Sequence, residues 1–495
     1  MKSPTPFSAT STPIAGLYVL HLDVRPDNRG WFKENWQREK IAAIPELSRA
    51  CREFRPVQNN ISFNAQPGVT RGLHAEPWNK FVTIAQGEIF GVWCDLRADS
   101  PTFGKVFSTR ITTEQAVFVP RGVANGFQAL EPSIYTYLVD AHWSPQAHYS
   151  HVNLADPALG IHWPIPLDKA EISAADHTHP LLADATAVPP GKILITGADG
   201  QVGRALSIQF PDATLCNHSD FDLTADYHVL EDAVNWDEYA VIINAAAYTA
   251  VDHAEVDRAQ CWAVNATGPA NLARLATNHD LTVVHFSTDY VFSGDASGDQ
   301  DENTPIAPSN FYGASKAAGD AAIALTAKHY IVRTSWVVGD GKNFVTTMVR
   351  LAQSGAHPTV VNDQVGRLTF STDIAKMTAY LLAGEHPYGV YGFSNSGQPQ
   401  SWAQIARRVF EFTQVDADRV TECSTEEYAA RVSAQASTAS PAPAPALAVR
   451  PKNSCLSLAK IEATGFIPPL WEARLEEYVR NLVVSGTSSV NSEGA

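Results

Sequence analysis

A tyrosine and a lysine four residues apart, Tyr312 and Lys316, are the side chains whose types and spacing most directly suggest chemistry. On a helix the two side chains would share one face. A lysine ammonium beside a phenol favours the phenolate, so it lowers the pKa of the phenol. A tyrosine of this kind can donate a proton to a carbonyl oxygen while a hydride reaches the carbon. The spacing alone is weak evidence, so the surrounding elements decide its interpretation.

A glycine-rich turn upstream of this pair predicts a nucleotide-binding site. The apolar run 192–196 is typical of a buried parallel strand, and it ends in the spacing Gly197-x-x-Gly200-x-x-Gly203. Glycines allow the backbone to approach a pyrophosphate closely. The N-terminus of the helix that should follow offers free N–H groups to the same anion.

Two further apolar runs predict the sheet that positions these residues. The runs 241–247 and 283–290 indicate strands, and the helical pattern 254–279 lies between them. This alternation predicts a doubly wound parallel sheet. Ser287 or Thr288 ends the later strand, at the sheet edge where ligands bind in such folds. A hydroxyl group should therefore meet the tyrosine–lysine pair.

The segment 192–485 resembles dTDP-4-dehydrorhamnose reductase, an extended short-chain dehydrogenase. The matching strings are 197–203, 244–252, 287–292, 310–316, 333–336 and 450–454. The resemblance implies that NADPH or NADH reduces the C4 ketone of a nucleotide-linked 6-deoxyhexose. It also implies Tyr312 as the acid, Lys316 as its partner and ribose anchor, and Thr288 as the hydroxyl that polarises the carbonyl.

The same resemblance implies a small substrate-binding subdomain and two sets of binding residues. The implied sugar contacts are Asp289, Tyr290 and Trp336. The implied cofactor contacts are Gly197, Gly200, Gln201, Val202, Asp222, Ala245, Ala246, Tyr312 and Lys316. The string 216–219 lacks an acidic ribose clamp, which favours tolerance of a 2′-phosphate.

Some members of the reductase family hold Mg²⁺ with glutamates, but the matching positions in this chain are Ala205 and Thr372, so no metal is expected. Where the family has the string Gly-x-Pro-Thr, residues 366–369 of this chain are Gly-Arg-Leu-Thr.

The first 184 residues have the pattern of an all-β domain. Short alternating strands punctuated by Gly and Pro, as in 81–95 and 103–119, predict a sandwich or barrel. The string 69–74, Val-Thr-Arg-Gly-Leu-His, resembles the signature of dTDP-4-dehydrorhamnose 3,5-epimerase, a cupin-like jelly roll. Further matches, within a resemblance covering about residues 12–182, are Asp27–Gly30 with Glu34, Gln58–Ser62, Gly87–Phe90, Ser100–Gly104 and Ile172–Asp176.

Epimerisation of C3 and C5 beside a C4 ketone needs a base and an acid on opposite faces of the sugar. Histidine suits the base role because its unperturbed pKa is roughly 6.5, and a carboxylate on its other nitrogen fixes the tautomer. By resemblance the base is His74 with Asp176, and the acid is Tyr137. Lys80 would stabilise the enolate oxygen. The implied substrate contacts are Arg29, Glu34, Gln58, Asn60, Arg71, Lys80 and Trp143, with the two arginines on the diphosphate. Trp143 either stacks on the sugar or fills a core.

Two departures from the epimerase pattern keep an alternative open. The family usually has Asp after its Gly-Glu-x-Phe string and His in an Ala-His-Gly-Phe string, but this chain has Gly91 and Asn125. These changes could slow the domain, alter which carbon it epimerises, or leave only a binding or dimerisation module. The string 176–179, Asp-His-Thr-His, could suggest a metal. A metal-binding cupin normally has a His-x-His pair on one strand, whereas position 76 is Glu76, so no metal is expected here either.

Composition limits the remaining function classes. A net charge of −16 disfavours nucleic acid as a partner, although it does not exclude an anionic small ligand. No 18-residue apolar run predicts a membrane helix, and the N-terminus lacks the apolar core of a signal peptide. Six scattered cysteines without a C-x-x-C motif suit a reducing cytoplasm. The expected partners are therefore a nucleotide-sugar and, by resemblance, a second copy bound through the epimerase-like domain.

The predicted organisation has four parts. They are an epimerase-like domain at 1–184, a linker at 185–191, a reductase domain at 192–485 and a disordered tail at 486–495, with a surface excursion at 433–448. The leading hypothesis is a bifunctional, cytoplasmic enzyme that completes dTDP-L-rhamnose synthesis. One alternative is a reductase whose cupin-like domain only binds nucleotide-sugar or dimerises. A non-catalytic subunit is a second alternative, against which the intact tyrosine, lysine and threonine argue.

Overall fold

A computed structural model describes residues 7–145, 147–439 and 447–490 of the chain. It divides into two compact units, Met1–Gly191 and Lys192–Ala495. Part of the predicted excursion, 440–446, and part of the predicted tail, 491–495, lie outside the described residues. Within the described part of the chain, no helix combines the length and apolar character needed to cross a bilayer.

The first unit consists of two sheets and three short helices. Its strands are β1 (Ser8–Ser11), β2 (Tyr18–His21), β3 (Val24–Asp27), β4 (Gly30–Lys33), β5 (Gln58–Asn64), β6 (Val69–Ala75), β7 (Lys80–Gln86), β8 (Ile89–Asp95), β9 (Val106–Ile111), β10 (Gln115–Val119), β11 (Val123–Ala129), β12 (Ser133–Val139), β13 (Ser150–His151) and β14 (Glu171–Ile172). Its helices are α1 (Arg38–Ala42), α2 (Arg49–Arg52) and α3 (Ala174–His177). One sheet has the order β1-β2-β10-β7-β12-β5, and the other has β13-β6-β11-β8-β9 with β14 beside β6. The hairpin β3–β4 stands apart from both sheets.

The core of the first unit lies between the two sheets. Val82 and Val117 from one sheet and Trp93 and Phe127 from the other belong to one buried apolar cluster. Alternate residues of β7 (Val82 and Ile84) and of β10 (Val117 and Val119) enter this cluster, as the predicted sandwich requires. The chain remains attached to this unit beyond residue 184, because the buried Val188 exchanges backbone hydrogen bonds with the segment after β8.

The second unit has a parallel sheet at its centre. Its strands are β15 (Lys192–Thr196), β16 (Thr214–Cys216), β17 (Tyr239–Asn244), β18 (Thr282–Thr288), β19 (His329–Thr334), β20 (Val337–Val338), β21 (Thr359–Val361), β22 (Val365–Gly366), β23 (Thr369–Phe370), β24 (Gly389–Phe393), β25 (Gln400–Ser401) and β26 (Thr421–Cys423). Its helices are α4 (Gln201–Gln209), α5 (Tyr227–Glu231), α6 (Arg258–Trp262), α7 (Gly268–Asn278), α8 (Phe311–Ile323), α9 (Phe344–Gln353), α10 (Ser371–Ala383), α11 (Trp402–Phe412), α12 (Thr425–Ala439), α13 (Ala459–Ala463) and α14 (Trp471–Val490). The sheet has the order β16-β15-β17-β18-β19-β24, and every neighbouring pair is parallel.

Helices cover both faces of this sheet. Successive residues of a strand enter different cores: Leu194 packs with α7, whereas Ile195 packs with α4 and α10. Burial on both faces explains why the strands are continuous apolar runs in the sequence. A third cluster, formed largely by α9, α11 and α14, lies outside these two layers. The carboxyl ends of β15, β17 and β18 meet at one edge, where the glycine turn, Asn244 and Thr288 are placed.

Candidate active sites

A cavity of about 630 Å³ lies in the first unit, against β6, β11 and β12. It contains five of the ten site residues predicted for this half of the chain. They are Arg71, His74, Lys80, Tyr137 and Asp176. The first two lie on β6, Lys80 begins β7, and Tyr137 lies on β12.

His74 and Asp176 form a hydrogen-bonded pair, with 2.8 Å between His74 Nε2 and Asp176 Oδ1. Asp176 lies on α3, whose N-cap Ser173 accepts a hydrogen bond from the Asp176 backbone. Burial acts to raise the pKa of Asp176, but the hydrogen bond and the charge of His74, together with the hydrogen bonds from the Gly72 backbone and with Ser173, outweigh it and the pKa is lowered. An ionised Asp176 that accepts from Nε2–H leaves Nδ1 of His74 as the proton-accepting nitrogen.

Tyr137 has the properties of the complementary acid. Burial raises its pKa, and the nearby charge of Glu76 acts in the same direction, so the phenol keeps its proton at neutral pH. The Nζ of Lys80 lies 5.5 Å from the centre of the Tyr137 ring. Lys80 is itself buried, ion-paired with Glu76 and bonded to Asn125 Oδ1 at 3.0 Å. This is a fixed cation at the cavity wall, available to a developing negative oxygen.

The two departures from the epimerase pattern have structural explanations. A Cβ on Gly91 would lie 2.3 Å from the buried ring of Trp93, so the family's aspartate does not fit beside this tryptophan. Asn125 accepts from Lys80 and donates to the hydroxyl of Tyr135 at 3.0 Å. Asn125 is therefore part of the cavity wall, whereas Gly91 packs against a core tryptophan.

Other predicted substrate contacts lie outside this cavity. Gln58, Asn60 and Trp143 line a neighbouring cavity of about 330 Å³, which shares Glu76 and Tyr137 with the first. Trp143 is 62% exposed, so it does not fill a core.

The structure does not bring Arg29 or Glu34 to either cavity. Arg29 is exposed on the β3–β4 hairpin and pairs with Asp27, and Glu34 pairs with Lys40.

Two further histidines line the cavity beside the His74–Asp176 pair. His151 lies opposite His74 in the β13–β6 register, and the rings of His151 and His179 lie 5.4 and 5.3 Å from the His74 ring. His179 belongs to the 176–179 string noted in the sequence, whereas only strand pairing brings His151 to this place.

In the second unit, Tyr312 and Lys316 share one face of α8, whose N-cap is Asn310. Burial raises the pKa of Tyr312, and a hydrogen bond with Thr288 acts to lower it. The expectation that Lys316 lowers this pKa is wrong for the structure. The Lys316 ammonium points elsewhere, donating to the backbone oxygen of Phe286 at 2.6 Å.

Lys316 belongs to a buried polar network that sequence reasoning missed. Its Nζ lies 3.4 Å from Nε2 of His285, and Asp320 Oδ1 lies 3.9 Å from the same nitrogen. Asn244 donates to Nδ1 of His285 at 3.0 Å, because its own oxygen accepts from Thr196. The imidazole hydrogen is therefore on Nε2, facing the lysine. Burial lowers the pKa of Lys316 to about 8.

Two of the predicted sugar contacts, Asp289 and Tyr290, directly follow Thr288 in the chain, and the third, Trp336, packs against another tryptophan. Asp289 is buried, which raises its pKa to about 7, and the Tyr290 ring lies 5.6 Å from that of Tyr312. Trp336 has a φ of 47°, in the left-handed region, and stacks on Trp402 with ring centres 3.7 Å apart. Such backbone strain persists only where the surroundings hold it.

The glycine turn lines a cleft of about 390 Å³. Gly197 has a φ of 67°, and a Cβ there would lie 2.5 Å from the nitrogen of Ala246. The cleft includes Gly197, Gly200, Asp222 and Ala246 of the predicted contacts, together with Asn217 and His218. Gln201, Val202 and Ala245 do not line it, and the Gln201 amide instead accepts from the Gly339 nitrogen.

The chain therefore carries two enzymatic sites. The first has the groups of a proton-transferring isomerase, and the second has those of a tyrosine–lysine dehydrogenase. Residues 11–184 match the family model of dTDP-4-dehydrorhamnose 3,5-epimerase, and residues 191–484 match that of the RmlD substrate binding domain. The chain therefore belongs to both families, and joins an epimerase domain to a reductase domain of dTDP-L-rhamnose biosynthesis.

Individual relatives cover each half. The chain is 49% identical over 181 residues to the protein RmlC homolog of Streptococcus pyogenes, covering 36% of this chain and 90% of that protein. It is 38% identical over 306 residues to the dTDP-4-dehydrorhamnose reductase of Aggregatibacter actinomycetemcomitans, covering 58% of this chain and 97% of that protein. The crystal structure of the Bacillus anthracis dTDP-4-dehydrorhamnose reductase in complex with NADP is 34% identical, with a TM-score of 0.52, covering 59% of this chain and 99% of that one.

Proposed function

We propose that this single chain converts dTDP-4-dehydro-6-deoxyglucose to dTDP-L-rhamnose in two steps. The first unit epimerises C3 and C5, and the second reduces the C4 ketone with NADPH or NADH. The observation that carries the proposal is the presence of two complete proton-transfer sets in one chain. One is the His74–Asp176 pair with Tyr137, and the other is Tyr312 with Thr288 and Lys316.

In the epimerisation, His74 removes the proton from a carbon beside the ketone. Asp176 stabilises the imidazolium that forms, and the Lys80 ammonium stabilises the enolate oxygen. Tyr137 then returns a proton to the opposite face, which inverts the carbon. Arg71 lines the same cavity and suits the diphosphate, because its planar fork matches phosphate oxygens.

In the reduction, a nicotinamide cofactor held in the cleft beside Gly197 would supply the hydride to C4. Tyr312 donates its proton to the carbonyl oxygen, and Thr288 holds the same oxygen through its hydroxyl. The high pKa of Tyr312 keeps it protonated until the oxygen becomes basic. Asp289, Tyr290 and Trp336 are proposed to hold the sugar, and the cleft beside Gly197 the cofactor. No metal is proposed for this step.

We further propose a cupin-like jelly roll for the first unit, a Rossmann-type sheet with a small substrate-binding subdomain for the second, and a cytoplasmic location, which the six buried free cysteines support.

A homodimer through the first unit is proposed from its exposed apolar side chains. Ile61 and Phe63 on the edge strand β5 are 68% and 64% exposed, and Phe32 on the β4 hairpin is 65% exposed. A second copy would cover these side chains. Sedimentation of the full chain tests the dimer.

The decisive test of the two-step function separates the activities in one protein. His74→Asn should stop solvent deuterium from entering C3 and C5, yet leave reduction of pre-epimerised substrate intact. If the unmutated chain never incorporates deuterium but still reduces that substrate, the first unit is a binding or dimerisation module instead.

A further inference from the structure

We propose that His74, Asp176 and His179 also bind a divalent transition metal such as Zn²⁺, and that this metal inhibits the epimerase while the reductase continues. The three ligand atoms lie within 4.8 Å of one another. His179 Nε2 lies 3.8 Å from Asp176 Oδ1, the oxygen that His74 Nε2 approaches at 2.8 Å. The two imidazoles thus converge on one carboxylate oxygen.

The geometry is close to that of a three-ligand zinc site. Zinc binds imidazole nitrogen and carboxylate oxygen at about 2.0–2.2 Å in tetrahedral arrangement, which sets ligand atoms about 3.3 Å apart. The two observed separations lie on either side of this value, so small side-chain movements suffice. Imidazole-rich sites favour Zn²⁺, Cu²⁺ or Ni²⁺ over Mg²⁺ and Ca²⁺.

His179 has no other evident task in the proposed epimerisation. Its Nδ1 is shielded from solvent and has no hydrogen-bond partner. Its ring packs on His151 with centres 4.5 Å apart and on His74. The fourth coordination position would open into the 630 Å³ cavity, where water or a substrate oxygen could bind.

The expectation of no metal in the first unit rested on position 76 alone. Position 76, where a metal-binding cupin has its second histidine, is a glutamate paired with Lys80. The structure supplies His179 from the segment after α3 instead.

Metal binding would remove the proposed base by a simple exchange. The metal takes the lone pair of His74 Nε2, and the proton that this nitrogen shared with Asp176 moves to Nδ1. An imidazole with one nitrogen on a metal and the other protonated cannot accept a substrate proton. Among the described residues, no comparable group of ligands occurs in the reductase half.

The experiment titrates Zn²⁺ into the full chain in metal-free buffer and follows two rates. Deuterium uptake at C3 and C5 reports epimerisation, and NADPH oxidation with pre-epimerised substrate reports reduction. Epimerisation should fall at least tenfold as one Zn²⁺ binds per chain, and reduction should change less than twofold. Equal loss of both activities, or no loss at one equivalent, overturns the proposal.

Two variants show which side chains hold the metal. For each variant, the rate of epimerisation with Zn²⁺ is divided by the rate of the same variant in EDTA. In His179→Gln, the Zn²⁺ concentration that halves this ratio should rise at least tenfold. His177→Gln, two residues away and exposed, is the matched control and should behave as the unmutated chain. Unchanged inhibition in His179→Gln overturns the assignment.

Co²⁺ gives a readout that needs no activity. Its visible absorption bands should appear with one equivalent in the unmutated chain and in His177→Gln, and should be lost in His179→Gln. The buried cysteines should not compete for the ion. The metal site rests on the proposed function, because it uses the proposed base His74. The Co²⁺ spectrum separates the metal site from the epimerase activity. Cobalt bands in a chain that takes up no deuterium would refute the epimerase activity and support the metal site.

Discussion

The charge of Lys316 should set the upper pH limit of the reductase. Burial lowers its pKa from 10.5 to about 8, against the opposing influence of Asp320. Lys316 is charged below this pKa and neutral above it. If the charged form is required, kcat/KM for NADPH should be level below pH 8 and fall tenfold per unit above it, because this parameter reports the free enzyme.

Asp320→Asn is the perturbation that tests this assignment. Lys316 Nζ and Asp320 Oδ1 both lie within 4 Å of His285 Nε2, which places them no more than about 7 Å apart. At an effective dielectric constant of about 20, their attraction is about 2 kcal/mol. Its loss should lower the pKa of Lys316 by between about one and two units. The alkaline limit should move from near pH 8 to between about pH 6 and pH 7.

The assay is a pH profile of NADPH oxidation with pre-epimerised substrate. Asp237→Asn, which removes an exposed carboxylate of the same unit, is the control and should keep the limit near pH 8. The single variant leaves Arg333 without its buried partner, 3.2 Å away, at a cost of about 3–5 kcal/mol. If it does not fold, Asp320→Asn with Arg333→Met tests the same point. An unchanged alkaline limit in a folded variant would refute the role of Lys316.

The remaining predictions concern the reacting groups and the cavity wall. Tyr312→Phe should lower the rate of ketone reduction by about 10²–10⁴-fold while fluorescence titration shows NADPH binding within about threefold of normal, since the hydroxyl acts in the transition state; near-normal turnover would sink the assignment. Asp176→Asn should slow deuterium uptake at C3 and C5 at least a hundredfold without changing reduction of pre-epimerised substrate, and equal loss of both rates would point to unfolding instead. Gly91→Asp should destabilise the first unit by about 1–3 kcal/mol in urea unfolding, because its Cβ meets the Trp93 ring, whereas an unchanged midpoint would mean that the ring can move.

Local patterns in the sequence predicted the elements better than the contacts between them. The glycine turn and the Tyr312–Lys316 pair are each encoded within a few neighbouring residues, so their strand, turn and helix could be read directly. The polar network around Lys316 could not. His285 and Asn244 come from two other strands, and only the parallel register brings them together.

The first unit shows the same distinction. His74 and Asp176 were paired through family resemblance, and the structure places them in contact. His179 and His151 join them only because the segment after α3 and strand β13 fold against β6. Arg29 was predicted at the substrate from its string alone, yet it lies on an exposed hairpin and pairs with Asp27.

The most direct test of two successive activities is one reaction followed by NMR. The full chain is incubated with dTDP-4-dehydro-6-deoxyglucose and unlabelled NADPH in D₂O. The product should be dTDP-L-rhamnose with deuterium at C3 and C5, hydrogen at C4, and one NADPH oxidised per sugar. NADPH oxidation that gives a product without deuterium at C3 and C5 would contradict the account, because reduction would then proceed without epimerisation.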